Sequence, residues 1–172
     1  MQEIFDIVDK NDQVIQYGVA ENDLHVNDDI TRVTTAYITD AQGRFYIAQR
    51  SPNKKVDPLK YEAPAHGRVQ SRESYEDAIC RETLEELGVK LDSFEEIGHF
   101  YLSFESNVGI RQHYKKLFIG KISEGIKIDP TEIHAIKSFD SIVDFFDFYE
   151  TQTHLFSDAI AYDIQYLKDF FT

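Results

Sequence analysis

The chain has 172 residues, a net charge of −13 and 42% apolar side chains, which is enough for one domain with a real core and too apolar for disorder. The acidic balance excludes broad binding to nucleic acid or to anionic membranes, since both require a basic surface. No apolar run approaches the length of a bilayer span, the start Met1–Asp6 lacks the order of a signal peptide, and the single Cys80 excludes an intrachain disulfide framework, so a reducing cytoplasm is expected.

Two β-prone runs, Ile4–Val8 and Val14–Val19, flank the turn residues Lys10, Asn11 and Asp12 and predict a hairpin within residues 1–20. The polar stretch Glu21–Asp29 reads as a connection. Thr31–Ile38 is rich in β-branched residues and reads as a buried strand, followed by a turn at Asp40–Gly43 and a returning strand Phe45–Gln49. The segment from Arg50 to Lys55 is the densest positive cluster of an acidic chain, and Pro52, Pro58 and Pro64 predict irregular chain up to His66.

A helix is predicted next. Ser74 followed by Asp77 makes a capping-box-like start, Tyr75, Ala78, Ile79 and Leu87 form an apolar stripe, and Gly88 is the expected stop. Glu82, Glu85 and Glu86 lie at i, i+3 and i+4, so their carboxylates converge on one patch. Three such charges repel unless something cationic neutralises them, and a hard divalent cation with oxygen ligands fits. Cys80, between Ile79 and Arg81, reads as a small buried packing residue, because free cysteine is usually buried.

Beyond the helix, Phe94–Phe104 and Ile110–Ile122 read as long strands joined by a turn at Ser106–Gly109. Glu132–Phe139 reads as a short extended run. Two helices close the region 140–172: Asp140–Tyr149, and one capped by Ser157 with Ile160, Ile164, Leu167 and Phe171 on one face. The seven acidic side chains from Asp140 onward, against Lys168 alone, read as a solvated outer face. Tyr61, Phe100 and Tyr101 could stack on a nucleobase, although aromatic residues in strands more often belong to a core. Together these elements predict a mixed α/β architecture.

A short acidic motif by itself is usually a solvated face. The whole spaced pattern changes that: Gly67, five residues, Glu73, seven residues, Arg81-Glu82, two residues, Glu85-Glu86, one residue, Gly88, then Val89. Seven fixed identities at usages of about 5–7% make chance agreement rarer than roughly one in a million chains. Residues 67–89 resemble the box of the Nudix hydrolase family, with Thr83 in place of a bulkier apolar residue. The resemblance implies a Nudix fold over a single domain, 1–172, with a mixed sheet between helices and the box as loop–helix–loop at one end.

The resemblance also implies roles. Glu85 and Glu86 would be the leading ligands of Mg²⁺, with Mn²⁺ able to substitute. Glu82 would be a third ligand or the general base, and the carbonyl of His66 would join the metal shell. Arg81 would orient the carboxylates and Glu73 would brace the loop. A further carboxylate from outside the box is common in the family, and Glu132 is the candidate. Upstream, Arg50, Lys55, Pro58 and Tyr61 follow the pattern of the branch near isopentenyl-diphosphate isomerase, so that Arg50 and Lys55 would hold substrate phosphate. His66 stands where that branch carries its catalytic cysteine, and Thr31 and Arg68 where it carries metal-binding histidines, which argues against isomerase chemistry. The implied activity is hydrolysis of a diphosphate linkage in a nucleoside diphosphate derivative or another small organic diphosphate. The alternatives are an isomerase-like enzyme and a non-catalytic binding module. The aromatic run Phe145–Tyr149 could serve a core or a homodimer interface.

Overall fold

The sheet is assembled around β3 (Ile30–Asp40), whose β-branched and small residues suit a strand buried on both faces. The computed structural model describes residues 2–106 and 109–172, so Asn107 and Val108 of the turn expected at 106–109 lie outside the described residues. β3 runs parallel to β8 (Gly109–Ile122), in register from Ile30↔Gln112 to Asp40↔Ile122. Its other edge is shared between β6 (Ala65–Arg68), at Val33 to Ala36, and β4 (Phe45–Arg50), at Ile38 and Thr39. β7 (Ser93–Ser106) pairs with the outer edge of β8. β5 (Tyr61–Glu62) and β9 (Ile133–Phe139) pair with β4, and the hairpin of β1 (Ile4–Val8) and β2 (Val14–Ala20) joins β3 through Val8↔Ile30.

Alternation along β3 divides the core. Ala36 and Ile38 pack beneath α1 (Tyr75–Leu87) with Ala78, Ile79 and Leu87. Tyr37 faces the other way, stacking on Phe45 at 5.5 Å and joining Phe145 of α2 (Ile142–Thr151) and Leu167 of α3 (Ile160–Phe171). The sheet is thus sandwiched between α1 and the C-terminal helices, as a mixed α/β fold requires. The run Phe145–Tyr149 contributes to this second core. Among the described residues no helix is long and apolar enough to cross a membrane.

The ends of α1 follow their sequence signals. Ser74 Oγ accepts the Asp77 N–H at 3.0 Å, and Gly88 sits at φ +63° with its N–H donating to the Leu84 carbonyl. Thr83 is buried without an orphaned hydroxyl, because Oγ1 donates to the Ile79 carbonyl at 2.7 Å.

Other expectations are corrected. Between Arg50 and His66 the chain forms β5 and β6, because Pro52, Pro58 and Pro64 fall outside both strands and leave their ladders intact. β6 continues through Gly67 and Arg68, so the box opens on a strand. α2 starts at Ile142 under a Ser141 cap, whose Oγ accepts the Asp144 N–H at 3.2 Å. α3 starts after Ala159 with no side-chain cap; Ser157 does not cap it, and its buried Oγ has no partner among the described residues. Cys80 is exposed, because the buried stripe of α1 runs through Tyr75, Ala78, Ile79, Thr83 and Leu87 and leaves position 80 outside it. Asp163 is buried, not part of a solvated face: α3 turns it inward against Lys115 and Tyr37.

Candidate active site

The site is built where β6 hands over to α1. The connecting loop is held from two sides. Asp6 of β1 accepts from Ser71 Oγ at 2.5 Å and from the Arg72 N–H at 3.0 Å, fixing Arg72 at φ +66°. Glu73 Oε2 accepts the Gln70 N–H at 2.9 Å. Glu73 also receives Arg81: Nε donates to Oε1 and Nη2 to Oε2, both at 2.9 Å. The same guanidinium reaches Glu82 at 2.7 Å, Glu85 at 3.2 Å and the Arg68 carbonyl at 3.1 Å. One planar fork therefore ties the loop, the strand end and two carboxylates together, a task suited to arginine and not to lysine.

Glu82, Glu85 and Glu86 border one hollow of about 440 Å³, together with Asp129 and Glu132. Glu86 Oε2 accepts the His66 N–H at 2.9 Å. Burial pushes Glu82 up to about 7 against the pull of Arg81, and raises Glu86 well above the ordinary carboxylate range despite the His66 N–H. Among the described residues no three His, Cys, Asp or Glu side chains already converge as a ligand set; Glu82, Glu85 and Glu86 are each engaged by a protein donor. Glu82 and Glu86, disfavoured as anions by burial, with Glu85 on the same hollow, fit an oxygen-liganded divalent cation, which would supply the missing charge.

A second cavity of about 500 Å³ adjoins this hollow and shares Glu86, His66 and Glu132 with it. Arg50 and Lys55 both line it. Arg50 is also committed to the protein, donating to Glu62 at 2.5 Å and to the Val56 carbonyl at 3.0 Å. Glu132 pairs with Lys54. The His66 ring faces this cavity and hydrogen-bonds through Nδ1 to Thr35 Oγ1 at 2.8 Å. Burial first, then Lys115 and Arg50, hold it well below the ordinary histidine range, so it is neutral. Tyr61, Phe100 and Tyr101 do not line the cavity: Tyr61 packs on Phe156, Phe100 stacks on Tyr166 at 4.5 Å and Tyr101 packs on Tyr114.

Sequence reasoning missed much of the cavity wall. Glu62, Arg111, His113, Lys115 and Ser157 all line it. For β8 a signal was present: Arg111, His113 and Lys115 recur at every second position, so they share the face that continues as the core residues Leu117 and Ile119. A polar half on a face that ends as core marks a cavity. Burial holds His113 down to about 3, and Lys115 pairs with Asp163 at 2.6 Å deep under α3.

The mixed sheet and the glutamate-rich helix that follows β6 frame the site, and comparison with known proteins identifies the family. Residues 29–158 match the family model of the NUDIX domain, so the chain belongs to the Nudix family. A Nudix hydrolase of Deinococcus radiodurans is 35% identical over 91 residues, 53% of this chain and 53% of its own length. The chain thus spans about half the length of the curated relatives it matches. Among solved structures, the DR0079 protein of Deinococcus radiodurans has a TM-score of 0.66 at 22% identity, covering 84% of this chain and 89% of its own. The NUDIX domain of Shewanella oneidensis NrtR, crystallised with ADP ribose, has a TM-score of 0.62 at 13% identity, covering 88% and 93%.

Proposed function

We propose that the chain is a metal-dependent hydrolase that cleaves a diphosphate linkage, in a nucleoside diphosphate derivative or another small organic diphosphate, by water attack on phosphorus. It acts as one cytoplasmic domain. Glu82, Glu85 and Glu86 would hold Mg²⁺, or Mn²⁺ in its place, with the His66 carbonyl as a further ligand. When bound, the cation neutralises phosphate oxygens and favours ionisation of the attacking water.

The remaining work falls to the protein. Arg81 fixes the carboxylates through Glu73, and Gly67 leaves room for Glu82 beside β6. Glu82, when not acting as a ligand, would take the water's proton. Arg50 and Lys55 give the diphosphate a positive wall, and Lys54 links that wall to Glu132. The observation that carries the proposal is the shared boundary: Glu86 borders both the carboxylate hollow and the cation-lined cavity. A diphosphate lying across it would meet acid-bound metal on one side and basic side chains on the other.

The test is turnover of a panel of nucleoside triphosphates, nucleotide sugars, dinucleotides, coenzyme A and prenyl diphosphates, with and without Mg²⁺, read by mass spectrometry. Metal-dependent cleavage of a phosphoanhydride bond supports the proposal. Isomerisation of isopentenyl diphosphate without cleavage, or no turnover of any compound, contradicts it.

A further inference from the structure

β6 pairs with β3 along one edge, and His66 lies directly across from Thr35. The backbone and the ring of His66 therefore go separate ways. The N–H leaves by the other edge and donates to Glu86 Oε2 at 2.9 Å, while the ring shares the face of Thr35, with Nδ1 2.8 Å from Thr35 Oγ1. Thr35 is 1% exposed, and among the described residues Nδ1 is the only hydrogen-bond partner of its hydroxyl. A buried hydroxyl proton without an acceptor is costly, so Oγ1 donates to Nδ1. With Nδ1 accepting, the ring proton sits on Nε2. Among the described residues Nε2 has no hydrogen-bond partner, and it is not sealed from solvent: the sealed side-chain atoms without a partner are Ser157 Oγ and Asp163 Oδ1. His66 borders both the carboxylate hollow and the cation-lined cavity. Its Nε2–H is thus a donor of fixed tautomer, open to a ligand where the two spaces meet.

We propose that His66 Nε2–H is a catalytic hydrogen-bond donor to the leaving-group oxygen of the diphosphate, and that Thr35 is the positioning residue that holds the ring in this tautomer. The water oxygen bonds to phosphorus and one water proton passes to Glu82. The P–O bond to the leaving phosphate breaks, and its electron pair stays on the oxygen that receives Nε2–H. No proton leaves His66. A donor aimed at charge that develops in the transition state raises kcat and leaves KM nearly unchanged. The inference rests on the diphosphate-hydrolase proposal and adds to it two residues outside the glutamate cluster.

Two experiments on the full chain test it. In the first, long-range proton–nitrogen NMR reads the His66 tautomer in metal-free protein. The proton is expected on Nε2 in wild type and in Thr35→Ser, with a population moving to Nδ1 in Thr35→Val. Methylenediphosphonate, a diphosphate analogue that water does not cleave, is then added with Mg²⁺ and is expected to shift the Nε2 signal. A wild-type proton on Nδ1, or an Nε2 signal that the analogue leaves unmoved, overturns the proposal. The second compares Mg²⁺-dependent diphosphate hydrolysis by His66→Gln and His66→Asn, with circular dichroism confirming the fold. Both keep the backbone N–H and carbonyl, but Gln can place an amide N–H near the Nε2 position and Asn only near Nδ1. His66→Asn is expected to lose about a hundredfold or more in kcat, His66→Gln about tenfold or less, and Thr35→Val about three- to tenfold, each with KM within about threefold of wild type. Equal losses in Gln and Asn, or losses confined to KM, overturn it. If wild type cleaves no diphosphate at all, the hydrolase proposal fails, and the NMR titration alone decides whether His66 donates to a bound diphosphate.

Discussion

Gly67 and Glu82 touch across the start of the box: a Cβ at Gly67 would stand 1.9 Å from Glu82 Oε1 and 2.0 Å from its Cδ. Glycine is required there by space. The obstacle is a carboxylate held by Arg81 at 2.7 Å, not backbone. Gly67→Ala should therefore move Glu82 and leave the strand intact, lowering kcat about a hundredfold or more while costing about 1 kcal/mol or less of stability. Steady-state kinetics beside urea unfolding would check it; equal activity with lost stability would reverse the assignment.

Arg81 makes a fork to Glu73 and single bonds to Glu82, Glu85 and the Arg68 carbonyl. Lysine keeps the charge and loses the geometry. Arg81→Lys should lower stability by about 1–3 kcal/mol and kcat by about ten- to a hundredfold. Wild-type kinetics and an unchanged denaturation midpoint in this variant would show that the fork is dispensable.

The buried carboxylates link metal to pH. Glu82 titrates at about 7 in the folded chain against an ordinary value of 4.5, so the folded state holds this proton more tightly than the unfolded one. Metal-free protein accordingly loses the Glu82 contribution to stability as pH rises from about 4.5 through 7, each tenfold change in proton affinity being worth about 1.4 kcal/mol. A cation needs the ionised form, so Mg²⁺ should raise Tm little near pH 5 and by several degrees near pH 8, where a hundredfold excess over Kd contributes about 2.7 kcal/mol. Thermal melts of wild type and Glu82→Gln across this window are the check. A Mg²⁺ effect that does not depend on pH, or that Glu82→Gln retains in full, would contradict the account.

Lys115 and Asp163 form an ion pair under α3, with side chains 3% and 2% exposed, and Tyr37 donates to Asp163 at 3.1 Å. Removing one member leaves the other charged and buried. Asp163→Asn should cost about 3–5 kcal/mol, and the double variant Lys115→Met with Asp163→Leu should recover most of that loss. Denaturant titration reads both; a loss below about 1 kcal/mol in the single variant would show that the pair is solvated.

Much of the fold was legible because it is written locally. The Ser74 cap, the Gly88 stop and the alternation of β3 need only near neighbours in sequence. The box residues Glu73, Arg81, Glu82, Glu85 and Glu86 were legible for the same reason, since one helix and one loop bring them together. The cavity was not. Arg111, Ser157 and Glu62 come from three separate elements, and only the pairing of β3 with β8 and the docking of α3 bring them together. Ser157 and Asp163 misled for a related reason: a serine before a helix suggests a cap and an acidic tail suggests solvent, until tertiary packing turns both inward. Cys80 misled because its residue type is usually buried, whereas its place on α1, outside the apolar stripe, leaves it exposed.

Glu86 borders both the carboxylate hollow and the cation-lined cavity, so the proposed cleavage should depend on it above all. The most direct measurement is Mg²⁺-dependent turnover of the best substrate by wild type and Glu86→Gln, with circular dichroism confirming that both are folded. A loss of about a thousandfold or more in kcat is expected in the variant, not restored by excess Mg²⁺. Full activity in folded Glu86→Gln would contradict it.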